Sequence, residues 1–255
     1  MLLYHGIGAE SDFSNPQDAA YGVDPDDFAK QMTFMHHAGF RTITLSKFVR
    51  FVGGEDVELP SRPVLLTFDD ARLDSWTGSD AILRELGFRA VMLVDAGRVS
   101  EGDPEYMTWD ELATAQSSGR WEAQLHSGRG HVYVRYGPAE DETGPAYAYK
   151  EVRESFEEWR DRVFSDITWG EEELAQNVPG YRPLAFSPPF GSYGQDGTND
   201  ARIPDALLSW LTERYQVIFT QDRSANAKSG AGDPLGRFDV TRSVSGGDLY
   251  AALTE

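Results

Sequence analysis

The chain has 255 residues, 40% of them hydrophobic, enough apolar material to bury a substantial core. Its 42 acidic residues against 23 basic ones give a formal net charge of −19, which repels phosphate backbones and anionic lipid and argues against nucleic-acid and membrane-surface partners. There is no cysteine, so disulfides, thiolate metal sites and cysteine nucleophiles are excluded and any metal must be held by His, Asp or Glu.

The opening MLLYHGIG lacks the charged region and apolar length of a signal peptide, and no later run approaches the ~18 apolar residues of a membrane span. It enters a strand at once, as expected of a soluble domain excised from a longer parent; an extracytoplasmic parent is one candidate, and the sequence leaves the location unknown. Eight short apolar runs follow one another: LLYHGI, FRTITL, PVLLTF, FRAVMLV, RWEAQLH, PLAFSP, YQVIFT and RFDV. Helical patterns lie between them, in DDFAKQMTFMHHAG, DSWTGSDAILRELG, TWDELATAQSSG, YKEVRESFEEWRDRVFSDI and PDALLSWLTER. This alternation predicts α/β architecture with a mainly parallel sheet, closed into a (β/α) barrel by eight strands and built as one domain over residues 1–255. Gly39, Gly87 and Gly119 each stop a helical pattern before a strand. Residues 132–147 and 224–234 read as loops within that domain, and the six tryptophans read mostly as core.

The chemistry-bearing residues also follow strands. LLYHGI delivers His5, and PVLLTFDDAR ends in the adjacent carboxylates Asp69 and Asp70. In a parallel barrel the carboxyl ends of the strands form the active face. The competing reading of the acid pair is a helix cap with a first-turn acid. WEAQLHSGRGH brings His126 and His131 to another strand end. A spacing of five does not stack two side chains on a helix, but Gly128 and Gly130 let a loop turn both imidazoles inward. Two imidazoles and a carboxylate suffice for zinc with an open position, or for iron in an oxygenase; the plainer alternative is a pair of surface histidines. In LAFSPPFGSYG, Pro188, Pro189 and Gly191 constrain the backbone around Phe190, whose N–H is a candidate oxyanion donor, and Phe190 and Tyr193 are candidate linings of a sugar groove.

Taken in order, LLYHGI, PVLLTFDD, the block YMTWDELATAQSSGRWEAQLHSGRGH and LAFSPPFGSYG resemble the motifs of NodB-homology polysaccharide deacetylases, carbohydrate esterase family 4. The five-residue histidine spacing is similar to the branch that contains poly-β-1,6-N-acetylglucosamine N-deacetylases. The likeness runs over nearly the whole chain. It implies a distorted (β/α) barrel holding one divalent metal, commonly zinc, on Asp70, His126 and His131. It further implies Asp69 as the base acting on metal-activated water and the Phe190 N–H as an oxyanion donor. The implied activity is removal of N-acetyl groups from a polysaccharide or oligosaccharide containing N-acetylglucosamine.

The chain also departs from the family pattern. Members usually carry a late histidine that protonates the departing amine, and here no histidine follows His131. His5 is a candidate substitute, because the first and last strands of a closed barrel are neighbours; a structural histidine bonded within the rim is its alternative. Ala71 stands where a glycine is usual, and Ser187 where an arginine usually orients the base, with Arg237 and Arg242 as candidates to restore that charge. His36 and His37 suit a helix C-terminus and are assigned no chemistry. The missing histidine keeps open an O-acetyl esterase and a catalytically impaired carbohydrate-binding accessory domain. An iron oxygenase conflicts with the alternating α/β pattern.

Overall fold

The computed structural model describes residues 1–221 and 233–254, so residues 224–232 of the loop expected at 224–234 lie outside the described residues. Eight short parallel strands make the central sheet. They are β1 (Leu2–Tyr4), β4 (Leu66–Phe68), β5 (Ala90–Asp95), β6 (Trp121–Ser127), β9 (Ala185–Phe186), β10 (Val217–Thr220), β11 (Leu235–Gly236) and β12 (Phe238–Asp239). The numbering leaves room for β2 (Arg41–Thr42), β3 (Pro63–Val64), β7 (Tyr133–Arg135) and β8 (Thr143–Pro145), which lie in two smaller sheets. The order β11-β10-β9-β6-β5-β4-β1-β12 brings the sheet nearly full circle, because its two edge strands are consecutive stretches of chain parted only by Arg237. Leu235 and Gly236 pair with β10, while Phe238 and Asp239 pair with β1. The result is the expected distorted (β/α) barrel.

Burial on both faces explains why the strands read as continuous apolar runs; all six residues of β5 are buried. Their side chains still alternate. Val91 and Leu93 join Ala185, Val217, Phe219 and Leu235 in a cluster that fills the barrel interior, closed below by Leu45, Phe48 and Val49 of α3 (Leu45–Val52). Ala90, Met92 and Val94 point the other way, into the larger cluster beneath the surrounding helices. Those helices are α1 (Pro16–Tyr21), α2 (Pro25–His37), α4 (Leu73–Leu86), α5 (Ala96–Glu101), α6 (Trp109–Ser117), α7 (Phe156–Asn177), α8 (Ile203–Thr212) and α9 (Gly246–Thr254). Gly39, Gly87 and Gly119 have φ of 85°, 67° and 66°, the left-handed turn expected where a helix gives way to a strand. No helix among the described residues is long and apolar enough to cross a membrane.

Three local expectations change. FRTITL yields only the two residues of β2, which pair with β3 outside the barrel, because Thr44 caps α3 by accepting the Lys47 N–H and diverts the chain. The barrel still counts eight strands because Leu235–Gly236, just ahead of RFDV, forms a strand of its own (β11), while RFDV supplies β12. Residues 132–147 form an antiparallel hairpin of β7 and β8 rather than an unstructured loop, with Tyr133 opposite Pro145. Helix α7 starts later and ends later than the sequence pattern. A Ser155–Glu158 capping box fixes its start, and it runs through Gly170, where a Cβ would lie 2.8 Å from Leu125 Cδ1 of β6.

Candidate active site

His5 follows β1, Asp69 and Asp70 follow β4, Asp95 ends β5, His126 lies near the end of β6 and Ser187 follows β9, so all of them gather at the carboxyl-terminal mouth of the barrel. The acid pair is not a helix cap. Helix α4 begins at Leu73 behind Arg72, and the chain reaches it through two left-handed residues, Asp70 (φ 77°) and Ala71 (φ 60°). Such angles cost non-glycine residues about 1–3 kcal/mol each and hold only where neighbours over-determine them. Here the Ala71 carbonyl accepts the Met107 N–H at 2.9 Å, the Leu73 N–H donates to Glu105 at 2.9 Å, and Asp69 N–H donates to Tyr4 at 3.0 Å. A positive φ at position 71 also accounts for the glycine usual there in similar sequences.

Asp69 points inward and is fully buried against Arg237. The guanidinium makes a two-pronged contact, Nη1 to Oδ1 at 2.6 Å and Nη2 to Oδ2 at 2.7 Å. Arg237 also donates to Ser187 Oγ at 2.8 Å, Thr67 Oγ1 at 3.1 Å and the Thr220 carbonyl at 3.2 Å. Burial alone would raise the Asp69 pKa, but Arg237, helped by His126, outweighs it and holds the carboxyl below the usual range. Of the two arginines raised by the sequence, Arg237 makes this contact; Arg242 instead donates to the Ala19 and Gly8 carbonyls.

Asp70, His126 and His131 meet beside that pair. Asp70 Oδ1 lies 3.3 Å from His126 Nε2 and 3.4 Å from His131 Nδ1, and one ligating atom from each residue falls within 4.8 Å of the others. Metal bonds of 2.0–2.1 Å in a four-coordinate site separate neighbouring ligand atoms by about 3.3 Å. Asp70 Oδ1 is buried and makes no hydrogen bond among the described residues, which is what an oxygen reserved for a cation requires. His126 Nδ1 lies 2.6 Å from the Ser187 carbonyl and must donate to it, so in the neutral ring Nε2 is the nitrogen whose lone pair faces Asp70. His131 Nδ1 is equally close to Asp95 Oδ2, at 3.4 Å, and Phe190 packs edge-on against its ring at 4.5 Å. One oxygen and two nitrogens in this spacing fit a divalent cation.

A cleft of about 710 Å³ opens over these groups, lined among others by His5, Tyr21, Tyr106, Tyr133 and Phe190. His5 Nδ1 is buried, makes no hydrogen bond among the described residues and stands 3.8 Å from Asp239 Oδ1. Phe190 adopts φ 60° in a turn closed by Gly191 N–H donating to the Pro188 carbonyl at 2.9 Å. Tyr193 packs on the hydrophobic core instead of lining the cleft. Sequence reasoning passed over Asp95, whose place at the end of a barrel strand was the available signal. It also passed over Ser187 as a ligand-orienting carbonyl and Tyr133, which is 56% exposed at the cleft mouth.

The model of the polysaccharide deacetylase family matches residues 56–203, a stretch that contains Asp69, Asp70, His126, His131 and Phe190. No curated protein matches the chain by sequence. Among solved structures, a de-N-acetylase from Aggregatibacter actinomycetemcomitans is similar with a TM-score of 0.80 at 18% identity, over 98% of this chain and 98% of that one. The Streptococcus pyogenes deacetylase PplD, solved in complex with acetate, gives 0.75 at 19% identity over 100% and 97% of the two chains. IcaB from Ammonifex degensii gives 0.69 at 21% identity over 100% and 96%. At these identities the structural likeness establishes the fold.

Proposed function

The chain belongs to the polysaccharide deacetylase family, and from that premise we propose that it is a zinc-dependent hydrolase removing N-acetyl groups from amino sugars of an N-acetylglucosamine-containing polysaccharide. The observation that carries this reading is the meeting of Asp70, His126 and His131 around a buried oxygen with no hydrogen bond among the described residues, directly beside a carboxylate held by arginine.

Asp70, His126 and His131 would hold the metal, which when bound supplies Lewis-acid polarisation of the acetyl carbonyl and lowers the pKa of water. Asp69 is the base: ionised and fixed in direction by Arg237, it takes a proton from the attacking water. The Phe190 N–H, presented by the Pro188–Gly191 turn, is the donor toward the developing oxyanion. His5 is the acid that protonates the departing amine, its Nδ1 3.8 Å from the Asp239 carboxylate. An amide loses its amine only with such proton delivery, so a histidine in the cleft supports amide over ester cleavage.

Acetate release from partially N-acetylated glucosamine oligomers and from O-acetylated xylan tests the proposal with zinc-loaded wild type, Asp69→Asn and His126→Ala. Release from the oligomers that is lost in both variants is expected. Undiminished release in either variant, or none from wild type that holds zinc, would refute it.

A further inference from the structure

The two histidines are held by different means. His126 sits in β6 with its ring bonded to Ser187, whereas His131 hangs from the loop of residues 128–130 that follows. That loop has few side-chain resources of its own, and its backbone is gripped from both sides. On one side the Gly97 N–H of α5 donates to the Gly128 carbonyl at 2.6 Å. On the other, Asp166 of α7 spends both carboxylate oxygens on it: Oδ1 accepts the Arg129 N–H at 2.7 Å, and Oδ2 accepts the Gly130 N–H at 3.0 Å and the Tyr147 hydroxyl at 2.5 Å.

The two glycines of this loop leave room for that grip. A Cβ at Gly128 would lie 2.2 Å from the Asp166 backbone oxygen, and one at Gly130 would lie 2.1 Å from Tyr147 Cε1. The Arg129 side chain is turned away, its guanidinium 3.8 Å from the centre of the Trp169 ring, so it takes no part in the clamp. Asp166 does not line the cleft. It reaches His131 only through two peptide N–H groups.

We propose that Asp166 is a positioning residue: by clamping the Arg129 and Gly130 amides to α7 it sets the separation of His131 from Asp70 and His126, and so the affinity and coordination geometry of the cation site. This rests on the metal reading given above. Losing a residue that orients a ligand typically weakens a metal by about 10–100-fold. In Asp166→Asn one oxygen remains to accept, but whichever way the amide turns its NH2 faces one of the two backbone N–H groups, so one arm of the clamp becomes repulsive.

The test compares wild type, Asp166→Asn and Tyr147→Phe. Zinc affinity is read by competition with a chromophoric chelator, coordination by the visible spectrum of the cobalt(II)-substituted protein, and stability by melting of the metal-free proteins. Zinc binding weaker by about 10–100-fold in Asp166→Asn, with a changed cobalt spectrum, is expected. Tyr147→Phe, which removes a single donor, is expected to weaken zinc severalfold and serves if the other variant does not fold. Wild-type zinc affinity and cobalt spectrum in a folded variant, with only the metal-free melting temperature lowered, would make Asp166 a fold-stabilising residue and overturn the proposal. A wild type that binds neither metal would instead overturn the metal reading on which it rests.

Discussion

Replacing Arg237 with Met is expected to cost about 3–5 kcal/mol of folding stability at neutral pH, because it strands an ionised Asp69 inside the barrel. Both side chains of the pair are 0% exposed, so water cannot take over the lost contacts. For charge centres about 4 Å apart, an effective dielectric of about 20 puts the lost attraction near 4 kcal/mol. The bonds to Ser187, Thr67 and Thr220 go as well, offset in part by the guanidinium no longer needing to leave water. In a chain of this size the loss corresponds to a fall in Tm of about 6–20 °C. Its pH dependence has a definite sign. In the wild type the Asp69 carboxyl is held below its ordinary value, so its contribution is present above the unfolded carboxylate pKa and is lost as pH falls through the folded one. Without Arg237 the largest opposition to burial is gone and the carboxyl rises from its wild-type position, so the deficit is largest near neutrality and shrinks as Asp69 takes up a proton at falling pH. Urea denaturation of wild type, Arg237→Met, Asp69→Asn and the double variant across that range measures both effects. The double variant should be less damaged than the two single losses added together. A loss below about 1 kcal/mol, or a deficit that does not change with pH, would refute the reasoning.

Three further outcomes follow from the same structure. His5→Ala is expected to lower kcat on an N-acetyl substrate by about 10²–10⁴-fold and to spare an activated acetyl ester; equal losses on both would remove the acid role. Asp80 accepts the Arg120 Nε–H at 2.7 Å and the Trp121 indole N–H at 2.8 Å, and Asp80→Ala leaves a buried indole donor unpaired at a cost of about 1–3 kcal/mol. Burial raises the Asp80 carboxyl but these bonds outweigh it and hold it low, so wild type should lose this contribution as pH falls below about 4, and a variant with an equally steep acid limb would contradict it. Gly78→Ala puts a Cβ 2.4 Å from the Ile7 carbonyl oxygen, and thermal melting should register about 1–3 kcal/mol of overpacking that overrides the ~1 kcal/mol gain in helix propensity.

Much of the fold and of the metal-facing cluster was legible because both leave local marks. Buried strands are apolar runs, amphipathic helices repeat every three to four residues, and barrel chemistry sits where the runs end, which is how Asp69, Asp70, His126 and His131 stood out. Contacts between distant segments leave no such mark. Arg237 is 168 residues from Asp69 and was one of two arginines equally available to it. Asp166 lies 36 residues beyond Gly130 on a helix whose period identifies its buried face and says nothing of a carboxylate turned onto a neighbouring loop. The FRTITL misreading has a similar origin: β-branched residues favour a strand locally, but Thr44 also caps a helix, and the cap prevailed.

The seam at Arg237 separates two abilities in the order of synthesis. Every side chain of the candidate cation cluster has been made by residue 131, in or just after β4 and β6, which both pair with β5. The partner of the base arrives more than a hundred residues later, on the stave that joins both edges of the sheet. An incomplete or C-terminally clipped chain on this reading sequesters metal without hydrolysing anything, and acetate release becomes a report that the barrel has shut.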